Sequence, residues 1–213
     1  GNATKLKFDD YFVQEGLAFR FTPFNYKKWG DAEGDNGYAI DTEKFYENVM
    51  NRYKYGGLDT PGLYLDETTM RICYSHRRLF AQLAKELVKQ GDNARAQKVL
   101  AYAEQAIPAY NVPQVYESGS YEIATAYASI GESGKAITLL NDLIAESRDY
   151  IDWAFSLGDS RIAMVQRDCL YKFWQWNQCN ELLKDMDKER YKQSNQQFEE
   201  KYMRLAQLMN YQN

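Results

Sequence analysis

Histidine is all but missing from this chain of 213 residues, which carries only His76. A lone imidazole with no second His or nearby Cys cannot build a zinc site, and general-base work would need a nucleophile brought to it by tertiary contacts. A structural or surface place on a helix is the expectation. Cysteine is sparse too: Cys73, Cys169 and Cys179 cannot all pair within one chain, and their spacings fit no zinc ligand pattern. They are expected as small buried apolar side chains, with one bridge involving Cys73 open to an oxidising compartment. No stretch approaches the ~18 consecutive apolar residues of a spanning helix, and mean hydropathy is −0.66, so the chain as it stands is expected to be soluble. Nor is there a block of one charge sign. The 26 basic and 30 acidic side chains interleave to a net −4, which removes the electrostatic footprint that nucleic acid requires.

Catalytic signatures are missing as well. The chain has no GxSxG, no HExxH and no phosphate-cradling Gly-rich loop, so no cofactor is expected. Asp31, Glu33 and Asp35 precede Asn36-Gly37 in the manner of a calcium loop, but the twelfth position, which must supply a bidentate carboxylate, is Thr42. A solvated turn is expected there, and no metal. Carboxylates are plentiful, yet abundance alone does not signal a catalytic pair. Gly1 follows no Met and no signal-peptide pattern, so this end reads as a boundary within something longer or as a processed terminus.

What the chain does have is a spacing that recurs. Phe80, Leu83, Ala84, Leu87, Gly91, Ala96, Leu100, Ala103 and Pro108 fall at the positions of a tetratricopeptide repeat, and Ser120, Ile123, Ala124, Tyr127, Gly131, Ala136, Leu140, Leu143 and Arg148 follow in register. Each copy predicts two antiparallel helices meeting at the glycine, with alanines letting the axes approach closely. A fainter third copy keeps Cys169, Leu170, Phe173, Asn177, Leu182 and Met186 but has no glycine at the turn. The fold expected is all-α, of tetratricopeptide-like helical repeats, with a small strand-containing N-terminal cap over 1–65 and the repeat domain over 66–213. Within it the repeats span about 77–110, 117–150 and, more weakly, 163–190. A charged helix over 187–210, with Phe198, Tyr202, Leu205 and Met209 on one stripe, is expected to cap the stack.

In the cap, Leu17, Phe19 and Phe21 alternate as in a strand that Pro23 ends, Tyr38 to Ile40 supplies a partner strand, and a loop runs between them from Trp29 to Gly37. A helix from Thr42 with Phe45, Val49 and Tyr53 on one face is expected to stop at Gly56-Gly57, and Asp66 is expected to cap a long helix.

Repeat arrays hold other macromolecules on a curved surface, which points to binding rather than chemistry. The repeat register assigns Arg78, Lys85 and Lys89 of the first copy, and Tyr121 and Thr125 of the second, to the concave contact side, a mildly basic surface suited to a carboxylate-bearing peptide. Tyr171, Phe173, Trp174 and Trp176 crowd within six positions of one helix and so point to more than one side. Core packing is the default for such rings, but an exposed set of Tyr171, Trp174 and Trp176 would stack on a sugar or grip a peptide. Protein or peptide, with glycan as a further candidate, is therefore the expected partner class. A carbohydrate-active enzyme with two carboxylates beside the aromatic cluster is the alternative from another class.

Three runs carry a family resemblance: YFVQEGLAFRFTPF (Tyr11 to Phe24), LYLDETTMRICYSHRRLFAQLA (Leu63 to Ala84) and IPAYNVP (Ile107 to Pro113). They resemble the soluble C-terminal region of a bacterial family of large multi-pass membrane proteins of unknown function that is similar to protein O-mannosyltransferases. The resemblance spans most of the chain, and its motifs are not catalytic signatures. It implies a helical-repeat domain on the periplasmic side of the inner membrane, following a membrane part that transfers sugar from a lipid-linked donor. The acidic residues of that transfer would sit in the membrane part, and none maps onto a residue here. On this resemblance the chain is a non-catalytic recognition domain; a free-standing tetratricopeptide adaptor is the other non-enzymatic alternative.

Overall fold

A computed structural model of the protein describes residues 8–25, 37–159 and 161–210, with side chains described as far as 208. The acidic loop ahead of Gly37 lies outside these residues, and the side chain of Met209, the last of the C-terminal stripe, lies outside the described side chains. Among the described residues there are seven α-helices and one three-stranded sheet. The chain divides into two compact units, Gly1–Pro113 and Gln114–Asn213. The described residues of the expected N-terminal cap over 1–65 fall in the first of these units, together with the first two long helices.

In the first unit, β1 (Phe12–Gln14), β2 (Phe19–Phe21) and β3 (Ala39–Ile40) form a sheet in the order β2-β1-β3. The alternation around Phe19 does mark a strand, but its partner is β1, antiparallel with Phe12 opposite Phe21, and β3 pairs parallel on the other side of β1. Val13, Ala39 and Ile40 are buried, whereas Phe19 and Phe21 are 42% and 56% exposed. The apolar residues of β2 that gave the sequence signal therefore face outward. Gln14 and Gln82 exchange two side-chain amide hydrogen bonds of 3.0 and 2.9 Å, which tie β1 to the long helix described next.

Helix α1 (Thr42–Glu47) begins where the Asp41 side chain accepts the Lys44 N–H at 3.1 Å, and it runs into a π-helical turn at Asn48–Arg52. Phe45 and Val49 are fully buried, but Tyr53 already has extended backbone, so the helix ends ahead of the Gly56-Gly57 pair. Helix α2 (Glu67–Lys89) is capped by Asp66, whose carboxylate accepts the N–H groups of Thr68 and Thr69. Asp92 caps α3 (Asn93–Ala106) in the same way, through the Arg95 N–H. Between the two helices Gly91 has φ +77°, a conformation that costs an L residue roughly 1–2 kcal/mol. The Gly91 N–H donates to the Val88 carbonyl and the Asp92 N–H to that of Leu87, closing the end of α2.

The second unit contains the same turn. Helices α4 (Ser120–Ser129) and α5 (Ser133–Ser156) meet at Gly131, φ +86°, with the Gly131 N–H on the Ala128 carbonyl and the Glu132 N–H on that of Tyr127. Helix α2 packs on α3 and α4 on α5, and the same register is buried in both pairs: Leu83, Ala84, Leu87, Ala96 and Leu100, then Ile123, Ala124, Tyr127, Ala136 and Leu140. Ala84 is fully buried, so Ala84→Leu forces extra methylenes into a filled contact. A loss of about 1–3 kcal/mol is expected in urea unfolding, and an unchanged midpoint would show that this contact has slack.

Pro108 ends α3 after Ile107, but the matching position in the second pair is Arg148, and α5 runs on to Ser156. Helices α6 (Ile162–Met186) and α7 (Lys188–Asn210) complete the unit, α6 packing on both α5 and α7. The third helix pair expected over 163–190 does not form. Helix α6 is continuous through the turn position, Asn177, where no glycine offers a left-handed stop, and three residues further on the buried Asn180 accepts the Ser194 hydroxyl on its amide oxygen at 2.6 Å. The core of this unit gathers Leu140, Leu143, Ile151, Phe173, Trp176, Leu183 and Leu205. All three cysteines are free and buried. Among the described residues no helix is long and apolar enough to cross a membrane.

Candidate binding surface

The four crowded aromatics of α6 divide by helical spacing. Phe173 and Trp176, three apart, turn inward; their rings are parallel to within 1°, and the edges of Phe198 and Tyr202 meet Phe173. Trp176 is 0% exposed and its indole N–H donates to the Ser194 hydroxyl at 2.7 Å. Its expected place on an exposed patch is therefore corrected: it is a core residue whose one polar atom is satisfied from α7. Tyr171 and Trp174, also three apart, take the other face and are 46% and 47% exposed.

Those two rings stack on each other at 5.6 Å between centroids and 14° between planes. The edge of Trp174 meets Tyr116 at 5.4 Å, and Tyr116 stacks on Tyr121 of α4 at 5.1 Å and 21°. Tyr121, picked from the repeat register, and Tyr171 and Trp174, picked from aromatic crowding, thus join one shelf of four rings. Tyr116 completes it and was not anticipated, since it lies in a short 3-10 turn (Tyr116–Ser118) with no periodicity to single it out. Its proximity to Tyr121 in the sequence was the available signal. Burial raises the phenol pKa values of both tyrosines, with each further raised by the neighbouring Glu122 charge, so both remain hydroxyl donors well above neutrality.

Polar groups border the shelf. The Lys172 ammonium lies 2.9 Å from Glu146 and 3.6 Å from Glu117, and Gln175 donates its amide to Glu117 at 2.7 Å. Thr125, expected as a contact, is half-buried and donates its hydroxyl to the Tyr121 carbonyl at 3.0 Å along its own helix. Elsewhere in this unit a groove of about 710 Å³ runs between α5 and α7, lined by Asp142, Arg148, Asp187, Glu189, Arg190 and Ser194 among others. None of the four shelf rings lines it.

The basic residues of the expected contact surface belong to the first unit. Arg78 is exposed and donates to the Ser75 hydroxyl at 3.2 Å, Lys85 is half-buried, and Lys89 is 2.8 Å from the carboxylate of Glu86, a side chain buried in α2. Lys89 is thereby committed to neutralising a buried charge. The neighbouring Arg77 was not singled out from sequence at all. Its guanidinium is buried and donates to the backbone carbonyls of Ile107 (3.2 Å), Val112 (2.6 Å) and Pro113 (2.7 Å), clasping the IPAYNVP loop against α2. Burial lowers its pKa to about 10, which still leaves it charged at neutral pH.

His76 lies half-buried against the edges of Tyr53 and Tyr55, at 6.0 and 5.4 Å, and its Nδ1 has no hydrogen-bond partner. Burial lowers its pKa from the ordinary 6.5. Between that value and the lower folded one, the unfolded chain binds a proton that the folded chain refuses, so stability falls as pH drops below about 6.5. The carboxylates Glu15, Asp66 and Asp92, whose pKa values are lowered by hydrogen bonds and cationic neighbours, withdraw their stabilisation only nearer pH 4 and below. His76→Phe is therefore expected to flatten the change in urea midpoint between pH 7.5 and 5.5; an unaltered slope would assign that loss to other groups. Among the described residues no cluster of His, Cys, Asp and Glu could hold a metal ion.

The chain matches no protein-family model, no curated protein and no solved structure.

Proposed function

We propose that this chain is a non-catalytic recognition domain of tetratricopeptide type, and that it forms the periplasmic C-terminal part of a membrane-embedded, glycosyltransferase-like protein. The two helix pairs support the repeat reading, since their turns at Gly91 and Gly131 share one hydrogen-bond pattern and their buried alanines share one register. The observation that carries the binding reading is the shelf: four aromatic rings brought together from two helices and a turn, with Tyr171 and Trp174 left nearly half exposed. Aromatic side chains of this kind dominate the energetics of recognition surfaces.

The carboxylate-pair alternative finds less support. Two carboxylates beside the shelf, Glu117 and Glu146, have the Lys172 ammonium between them, where a glycosidase pair needs the scissile bond. The groove that does hold carboxylates lacks the shelf aromatics.

The test is to pass the chain over an array of short peptides and an array of oligosaccharides. Saturable binding to one of them is expected, weakened in Trp174→Ala without a matching loss of thermal stability. Blank arrays, or binding indifferent to Trp174, would overturn the proposal. Parentage is tested separately by the coding sequence upstream of residue 1. A multi-pass hydrophobic region is expected there, and an initiation site directly before Gly1 would make the chain a free-standing adaptor instead.

A further inference from the structure

We propose that the Tyr116–Tyr121–Tyr171–Trp174 shelf takes a neutral oligosaccharide; the assignment rests on the recognition reading above and adds its substrate class. A pyranose ring presents a face of C–H bonds and an edge of hydroxyls. It therefore needs a flat π surface with hydrogen-bonding groups at its border. The shelf supplies the first through the Tyr171–Trp174 pair, 14° from coplanar and nearly half exposed, while the half-buried Tyr116–Tyr121 pair meets it edge to face. It supplies the second through the partly exposed carboxylate of Glu117 together with the phenol hydroxyls, Lys172 being held between Glu117 and Glu146.

Charge narrows the class. Glu117, Glu122 and Glu146 outnumber the cations nearest the rings, Lys172 and the exposed Arg167 one turn before Tyr171, so phosphorylated or uronic sugars and other anions are disfavoured. A basic peptide is the competing occupant, because aromatic faces attract cations. A cation cage, however, needs several ring faces turned toward one open point, whereas here each pair turns its faces on each other and the two pairs meet edge to face.

The assignment is tested by titrating the 213-residue chain with neutral tetrasaccharides that span gluco, galacto, manno and N-acetylhexosamine units, and with an Arg/Lys-rich peptide as a second arm. At least one tetrasaccharide is expected to bind saturably. Trp174→Ala should weaken it by about tenfold or more, a factor corresponding to ~1.4 kcal/mol, while Trp174→Phe retains most of the affinity. Trp153→Ala serves as the control, since Trp153 is exposed to a similar degree but lies outside the shelf. If no tetrasaccharide binds, or if Trp174→Ala binds as the parent chain does, the carbohydrate assignment fails. Should the basic peptide or an arrayed peptide bind through Trp174 in their place, the recognition reading stands and only the substrate class falls. Silence in every arm removes both.

Discussion

Arg77→Ala is expected to destabilise the first unit by about 2–5 kcal/mol, since each buried acceptor left unsatisfied costs about 1–3 kcal/mol. The substitution strands the carbonyls of Ile107, Val112 and Pro113, which accept from one guanidinium now. It also loosens a loop that holds a second segment, because Asn111 donates its amide to the carbonyls of Leu58 and Thr60, each at 2.7 Å, and the Tyr110 hydroxyl bonds Asp59. Arg77→Lys should recover little, since an ammonium cannot reproduce the planar fork that reaches three acceptors. The measurement is urea unfolding of parent and variants. A loss below about 1 kcal/mol, the size of an ordinary surface change, would mean that water replaces the guanidinium at these carbonyls.

The second large effect contrasts two tryptophans on one helix. Trp176→Ala is expected to cost the second unit about 3–5 kcal/mol, the usual range for emptying a buried aromatic site. Its ring is enclosed beside Phe173 and Phe198, and its loss also takes the donor from Ser194. Trp174→Ala, two positions away, should cost about 1 kcal/mol or less, because the ring is nearly half exposed and its contacts are stacking contacts on the surface. Thermal unfolding of the pair distinguishes them. Equal losses would contradict the division of α6 into a packing face and a shelf face.

That division shows where the sequence was legible. The crowding of four rings within six positions showed that they point to more than one side, but the patch expected from it wrongly included Trp176; helical spacing pairs Phe173 with Trp176, and the packing of α7 on α6 puts that pair inside. The helix pairs at Gly91 and Gly131 were readable because capping, a left-handed glycine and buried alanines all act within one short stretch of chain. Long-range partners were not readable. The alternation of Phe19 and Phe21 located a strand yet not its neighbour, because β1 contributes three residues and its pairing is settled by contacts remote in sequence. The missing third turn has a local cause that the spacing alone underrated: Asn177 stands where the other two copies have a glycine that leaves the helix at low cost. Arg77 escaped notice because it sits beside Arg78 in a charged run, where solvation is the default for both. Tyr116 escaped because a turn has no period.

The most direct test of the binding account uses the indole N–H signals of the four tryptophans, followed by two-dimensional NMR while the tightest ligand from the arrays is added. The Trp174 signal should move and saturate with the ligand, while Trp153, similarly exposed, and Trp176, buried, stay in place. A shift of Trp153 with Trp174 unmoved would place the contact elsewhere and contradict the account.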